Sequence, residues 1–198
     1  MDNAFDRFAN VFNIIPRNSP ARLLVCKAVL KLAAENDEVD TLQFSPADVG
    51  RWLGEWDVTP DEKCDFLKAV AETYSAVGKM YVLPIYVFFR SHISIRETAY
   101  TYSISYVRSL PPTPSSTKAA ALQLIATSLR LPTVFDFSVL YELQNVQSLE
   151  SHALYDLLRI FSERGLPEYK VWQESNAATL NEFGAFCMFS TDESSVWG

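Results

Sequence analysis

The sequence is short of glycine, cysteine and positive charge, and it has no apolar run long enough to cross a membrane. Six glycines in 198 residues argue against a fold built from many tight hairpins, whose turns need positive φ. The three cysteines, Cys26, Cys64 and Cys187, are odd in number and far apart. They offer neither a disulfide framework nor a zinc spacing, which fits a reducing compartment. Lys and Arg total 17 against 24 Asp and Glu, a formal net charge of −7. An acidic surface repels phosphate backbones, so direct, sequence-specific nucleic-acid binding is not expected. The most apolar run is held between Lys79 and Arg90, and it is about half of the ~20 residues a membrane-crossing helix requires. The opening "MDNAFDRFANVF" carries charge early and lacks the basic region and apolar stretch of a secretory leader. A cytoplasmic protein with no membrane partner is expected.

Motifs that carry chemistry are equally scarce. There is no glycine-rich phosphate loop, no GxSxG elbow, no HExxH, no CxxC and no calcium loop. The two histidines are His92 and His152. Glu150, Ser151 and His152 are adjacent, and adjacent residues on a helix point in different directions, so they cannot form a hydrogen-bonded triad. They read instead as a helix N-terminus, with Ser151 as the cap and Glu150 at the positive end of the dipole. Glu35, Asp37, Glu38 and Asp40 form an acidic loop, which reads as solvated turn carboxylates rather than a metal site. Cys26 and Cys64 fall on apolar stripes and read as small core residues. Trp52 and Trp56 are one helical turn apart; they are either an exposed partner anchor or a buried pair, and Val49 and Leu53 beside them favour burial. The sequence implies no catalytic residue, no cofactor-binding residue and no metal ligand, and hence no enzyme.

What is present is helical periodicity. Phe5, Phe8, Phe12 and Ile15 share one face and end before Pro16. Ser19-Pro20 opens a helix with the stripe Leu23, Cys26, Leu30 and Ala33, widened by Leu24, Val29 and Leu32. Ser45-Pro46 opens a third helix. Thr59-Pro60, with Glu62 three residues on, opens a fourth whose inner face is Phe66, Leu67, Val70, Ala71, Tyr74 and Val77. The short connection between the third and fourth predicts an antiparallel hairpin. Further helices are expected through Ala99, Tyr102, Tyr106 and Leu110, over "TKAAALQLIATSLRL", over "SHALYDLLRIFSERG" with Gly165 as its stop, and last over "LPEYKVWQESN"; a turn is expected at Gln144-Asn145. The expected fold is all-α, with at least eight helices arranged as an α-solenoid.

"NVFNIIPRNSPARLLVCKAVLKLAA", followed by "VGRWLGEWDVTPDEKCDFLKAVAETYSAV", resembles the M-subunit family of eukaryotic translation initiation factor three. The resemblance rests on the Asn-Ser-Pro helix start, the Arg51, Trp52 and Trp56 element and the Thr59-initiated helix. It continues through "FDFSVLYELQNVQSLESHALYDLLRIFSERGLPEYKVWQESNAATLNEFG". It implies the helical-repeat arm of a PCI-type protein, with the winged-helix part missing, acting as a non-catalytic scaffold subunit in translation initiation. The partners implied are other subunits of that complex and, through it, the small ribosomal subunit. A PCI subunit of the COP9 signalosome shares the "LLRIF…G…Y" arrangement, and an unrelated helical-repeat peptide-binding adaptor is a reading of a different class.

The domains expected are helical repeats over 1–77, an anomalous apolar insertion over 78–98, helical repeats leading to a PCI module over 99–184 and an atypical tail over 185–198. Without the run from Gly78 to Thr98, "AETYSAV" nearly joins "AYTYSISYVRSLPP" as one helical hairpin of the resembled family. The run is expected to be translated intron, since Gly78-Lys79 can be encoded by GGTAAG; a genuine lineage-specific loop is the alternative. If it packs, it is expected to extend the flanking helices or to form a loop, because Pro84 opposes a regular strand or helix.

Overall fold

The computed structural model describes residues 4–42, 44–80, 89–112 and 115–183. Among these every regular element is helical, and there is no strand. Eleven α-helices follow one another: α1 (Ala4–Ile14), α2 (Ala21–Glu35), α3 (Pro46–Glu55), α4 (Pro60–Met80), α5 (Phe89–Ser109), α6 (Ser115–Arg130), α7 (Ser138–Tyr141), α8 (Gln144–Gln147), α9 (Ala153–Glu163), α10 (Leu166–Ser175) and α11 (Ala177–Phe183). A 3-10 turn, Val39–Thr41, follows α2. They form two compact units, Met1–Ser109 and Leu110–Gly198.

In the first unit, the helix starts follow from the capping chemistry of the sequence. Ser45 Oγ accepts the Asp48 N–H at 3.0 Å. Thr59 Oγ1 accepts the Glu62 N–H at 3.3 Å while the Glu62 carboxylate accepts the Thr59 N–H at 2.9 Å, a closed capping box. The start of α2 differs by one residue. Pro20 keeps helical φ and ψ but stands before Ala21, and Ser19 Oγ reaches only the Ala21 N–H, at 3.3 Å. Leu23, Cys26, Leu30 and Ala33 are buried as the stripe requires. Leu24, expected to widen the stripe, is 67% exposed, so α2 buries one face rather than most of its girth.

The dominant pairing is α4 against α5, with α2 also packed on α4. The expected hairpin of α3 with α4 is not among the main pairings; α3 packs chiefly on α5. The reason is length: α4 and α5 are 21 residues each and bury Phe66, Val70, Tyr74, Ile95, Ala99 and Tyr102 in one core, whereas α3 has 10 residues and buries only Val49 and Leu53 within them. That core also takes in the α2 stripe. α4 continues to Met80, and α5, from Phe89 to Ser109, passes through Thr98 without a break; Ile95 in it is buried. The middle of the apolar run, with Pro84, lies outside the described residues.

The second unit is built on α6, which packs against α8 and α9; α9 then packs on α10, and α10 on α11. Leu124, Ile125, Leu140, Val146, Leu149, Leu154, Leu157 and Leu158 are almost fully buried. Asn145 Nδ2 donates to the Leu110 carbonyl at 3.1 Å and Thr117 Oγ1 to the Pro111 carbonyl at 3.0 Å, which tie down the proline-rich entry to α6. Gln144-Asn145 opens the helical turn α8 rather than making a non-helical turn. Phe183 ends one helix more than expected, α11, after the helix over "LPEYKVWQESN".

Candidate functional site

The residues singled out by the sequence scatter rather than converge. His152 caps α9: its Nδ1 accepts the Leu154 N–H at 3.2 Å, so the cap is His152 and not Ser151. Its ring also meets Phe183 edge-on at 6.2 Å. A ring nitrogen committed to a backbone amide is not poised as a base for Ser151. Gly165, expected as the stop of α9, is extended (φ −127°) and serves as the start of α10, its N–H held by the Glu168 carboxylate at 3.1 Å. The side chain of His92 and the whole of Cys187 lie outside what is described.

The acidic loop closes the end of α2. Asp37 takes a left-handed φ of 55°, Asn36 Nδ2 donates to the Leu32 carbonyl at 2.7 Å, and Glu38 N–H donates to the Ala33 carbonyl at 2.9 Å. Glu35 pairs with Lys31 across a helical turn at 3.8 Å. The described residues contain no group of three or more His, Cys, Asp or Glu able to hold a metal ion. Cys26 is buried, and burial pushes its thiol up to about 12 despite the nearby Arg22 cation, so it is not a reactive nucleophile.

Two tyrosine hydroxyls hold the connection between α2 and α3. Tyr74 Oη donates to the Leu42 carbonyl at 3.2 Å and Tyr102 Oη to the Phe44 carbonyl at 2.9 Å. Their rings lie 5.9 Å apart. Desolvation raises both phenols, that of Tyr74 to about 12.

A surface feature of the first unit is built on the tryptophan pair. Trp56 is buried, while Trp52 is half-buried; their rings stack at 6.1 Å with an interplanar angle of 19°. Phe12 from α1 packs at 5.5 Å from Trp52, and Phe44 meets Trp52 edge-on at 6.0 Å. The Arg22 guanidinium lies 4.4 Å over the Phe12 ring and donates from Nη2 and Nε to the Ile15 carbonyl at 2.8 and 3.1 Å. It thus satisfies the end of α1 and stacks on its last aromatic residue. The Asp57 N–H donates to the Asn18 carbonyl at 2.9 Å, joining the connection after α1 to the one after α3. Outside this cluster is a cleft of about 630 Å³ bordered by Phe12, Trp52, Arg17, Arg22 and Arg51. Both readings of the tryptophans are partly met: Trp56 is core, and Trp52 faces both core and cleft. The arginine contribution was missed because Arg17, Arg22 and Arg51 are spread along the sequence and form no basic run.

In the second unit a cleft of about 550 Å³ lies along α9 and α10, bordered by Arg159, Ile160, Val171 and Trp172. Arg159 pairs with Asp156 at 3.6 Å, and Val171 is 67% exposed.

No family model matches this chain, and no solved structure matches it. Distant, mutually consistent similarity extends to proteins named eukaryotic translation initiation factor 3 subunit M. The protein of that name from Phaeosphaeria nodorum is 24% identical over 186 residues, covering 91% of this chain and 38% of its own length. That from Dictyostelium discoideum is 20% identical over 182 residues, covering 88% of this chain and 41% of its own. That from Homo sapiens is 23% identical over 176 residues, covering 89% and 43%. The chain therefore spans about two fifths of the length of the curated relatives it matches. No helix among the described residues is long and apolar enough to cross a membrane.

Proposed function

We propose that this chain is a non-catalytic scaffold of an initiation-factor-three-like assembly, acting in translation initiation in the cytoplasm. The observation that carries the reading is the similarity, over about nine tenths of the chain, to proteins of one name from organisms as distant as Phaeosphaeria nodorum, Dictyostelium discoideum and Homo sapiens. The helix-on-helix architecture supports it, since such packing presents long faces to neighbouring subunits. On this reading residues 1–77 and 99–184 are the helical-repeat arm of a PCI-type protein, and its partners are other subunits of the complex, with the small ribosomal subunit reached through them. Residues 78–98 are an insertion into that arm and 185–198 a tail foreign to it. Among the described residues no nucleophile stands beside a base, and a binding role is the reading we adopt over an enzymatic one.

The test is affinity purification of the tagged full chain from its own cells, followed by identification of co-purifying proteins. Recovery of initiation-factor-three subunits supports the reading. Recovery of signalosome subunits instead, or of neither set, overturns it.

A further inference from the structure

We propose that the cleft between α1, α2 and α3 is a docking site for an acidic segment of a partner protein, whose carboxylates are held by Arg17 and Arg51 while an adjacent apolar side chain packs on Trp52 and Phe12. The proposal goes beyond the scaffold reading, which names no surface. Its first ground is charge. The chain carries −7 overall, yet the cleft is bordered by three arginines against Glu55, with Asp48 beside it paired to Arg51, which still leaves positive charge in excess. A basic cleft in an acidic protein selects and steers an acidic ligand.

The second ground is what each arginine has left to give. Arg22 is committed to Ile15 and Phe12 and is buried, so it fixes the wall and adds charge. Arg51 uses Nη2 on Asp48, yet a guanidinium has five N–H donors in a fork matched to a carboxylate. Its side chain is 61% exposed. Arg17 sits exposed on the α1–α2 connection and makes no ion pair among the described residues.

The third ground is composition and size. Arginine and tryptophan are the residue types that dominate the energetics of protein interfaces. About 630 Å³ falls within the ~300–1,000 Å³ typical of ligand clefts, which suits a few side chains of a peptide. A nucleic-acid strand fits less well, because its continuous charge would extend over an acidic surface.

The experiment is selection from a random hexapeptide display library on the immobilised full chain, with Arg17→Glu/Arg51→Gln in parallel. Both positions are exposed, and circular dichroism checks that helicity is unchanged. The expected result is enrichment of Asp and Glu next to an apolar residue, with at least a tenfold loss of retention by the variant. No acidic enrichment, or acidic peptides retained equally by the variant, overturns the proposal. Two further probes are an octamer of oligouridylate and a phosphoserine hexapeptide; preferential binding of either over the selected acidic peptides also overturns it. Because the readout needs only the isolated chain, failure of the co-purification leaves this result interpretable, and the reverse holds as well.

Discussion

Tyr102→Phe removes one oxygen from the centre of the first unit and leaves everything else in place. The Tyr102 ring is fully buried against Tyr74, and its hydroxyl is the donor to the Phe44 carbonyl, 58 residues away in sequence. The substitution strands a partly buried carbonyl, and an orphaned acceptor costs about 1–3 kcal/mol. The Phe44 site is only part-buried, so water can repair some of the loss, and the expected destabilisation is about 1–2 kcal/mol. Urea denaturation followed by circular dichroism should show the midpoint falling with an unchanged slope, since the surface exposed on unfolding is the same. Tyr74→Phe should cost less, about 0.5–1 kcal/mol, because its bond to Leu42 is longer, at 3.2 Å. The two bonds hold carbonyls two residues apart, so the double variant should lose less than the sum, by about 0.5 kcal/mol or more. A midpoint unmoved in Tyr102→Phe would show that this hydroxyl does not anchor the connection, and the reasoning would fail.

Other outcomes follow from the same packing. Ser45→Ala should cost about 1 kcal/mol by removing the acceptor for the Asp48 N–H; a Ser45→Thr variant that fares no better than alanine in thermal melts would contradict the capping role. Ile95→Ala should cost about 2–4 kcal/mol if the start of α5 is a genuine part of the core, and a loss under ~0.5 kcal/mol in the same melts would mean that it is not. Cys26 ionises near 9 when exposed and is pushed up to about 12 in the fold. The unfolded chain therefore loses this proton first, and stability fully present below pH 9 should drain away as pH rises toward 12. In Cys26→Ala melts this part of the alkaline loss should disappear; an identical pH profile in the variant would refute the assignment. If residues 78–98 are translated intron, mature transcripts should include spliced forms lacking those codons, and transcript sequencing that finds them in every message would dispose of the idea.

The sequence declared its helices wherever a cap and a stripe coincided. Ser45-Pro46 and Thr59-x-x-Glu62 are local devices that depend on four consecutive residues, and they appear in the structure as read. The stripe on α2 was equally legible, but its width was not. Leu24 is apolar for reasons its own helix does not reveal, and only the position of its neighbours decides that it is exposed. Helix pairing depends on non-local surface, so the short link between α3 and α4 misled, while the long matching faces of α4 and α5 decided the partner. His152 was overlooked as a cap because imidazole is not among the usual capping groups, although its Nδ1 can accept as a carboxylate does. The α1–α3 cleft was half visible: the tryptophan pair follows from helical spacing, but Arg17, Arg22 and Arg51 meet only because three chain segments converge there.

A scaffold role in an initiation-factor-three-like complex is decided by sedimentation. The tagged full chain, expressed in its own cells, is followed through a sucrose gradient of stabilised initiation complexes, with the co-purifying proteins identified in each fraction. A scaffold subunit should travel with the small ribosomal subunit together with initiation-factor-three subunits, and leave it when high salt strips those subunits away. A chain that remains at the top of the gradient, or that travels with a different set of partners, contradicts that role.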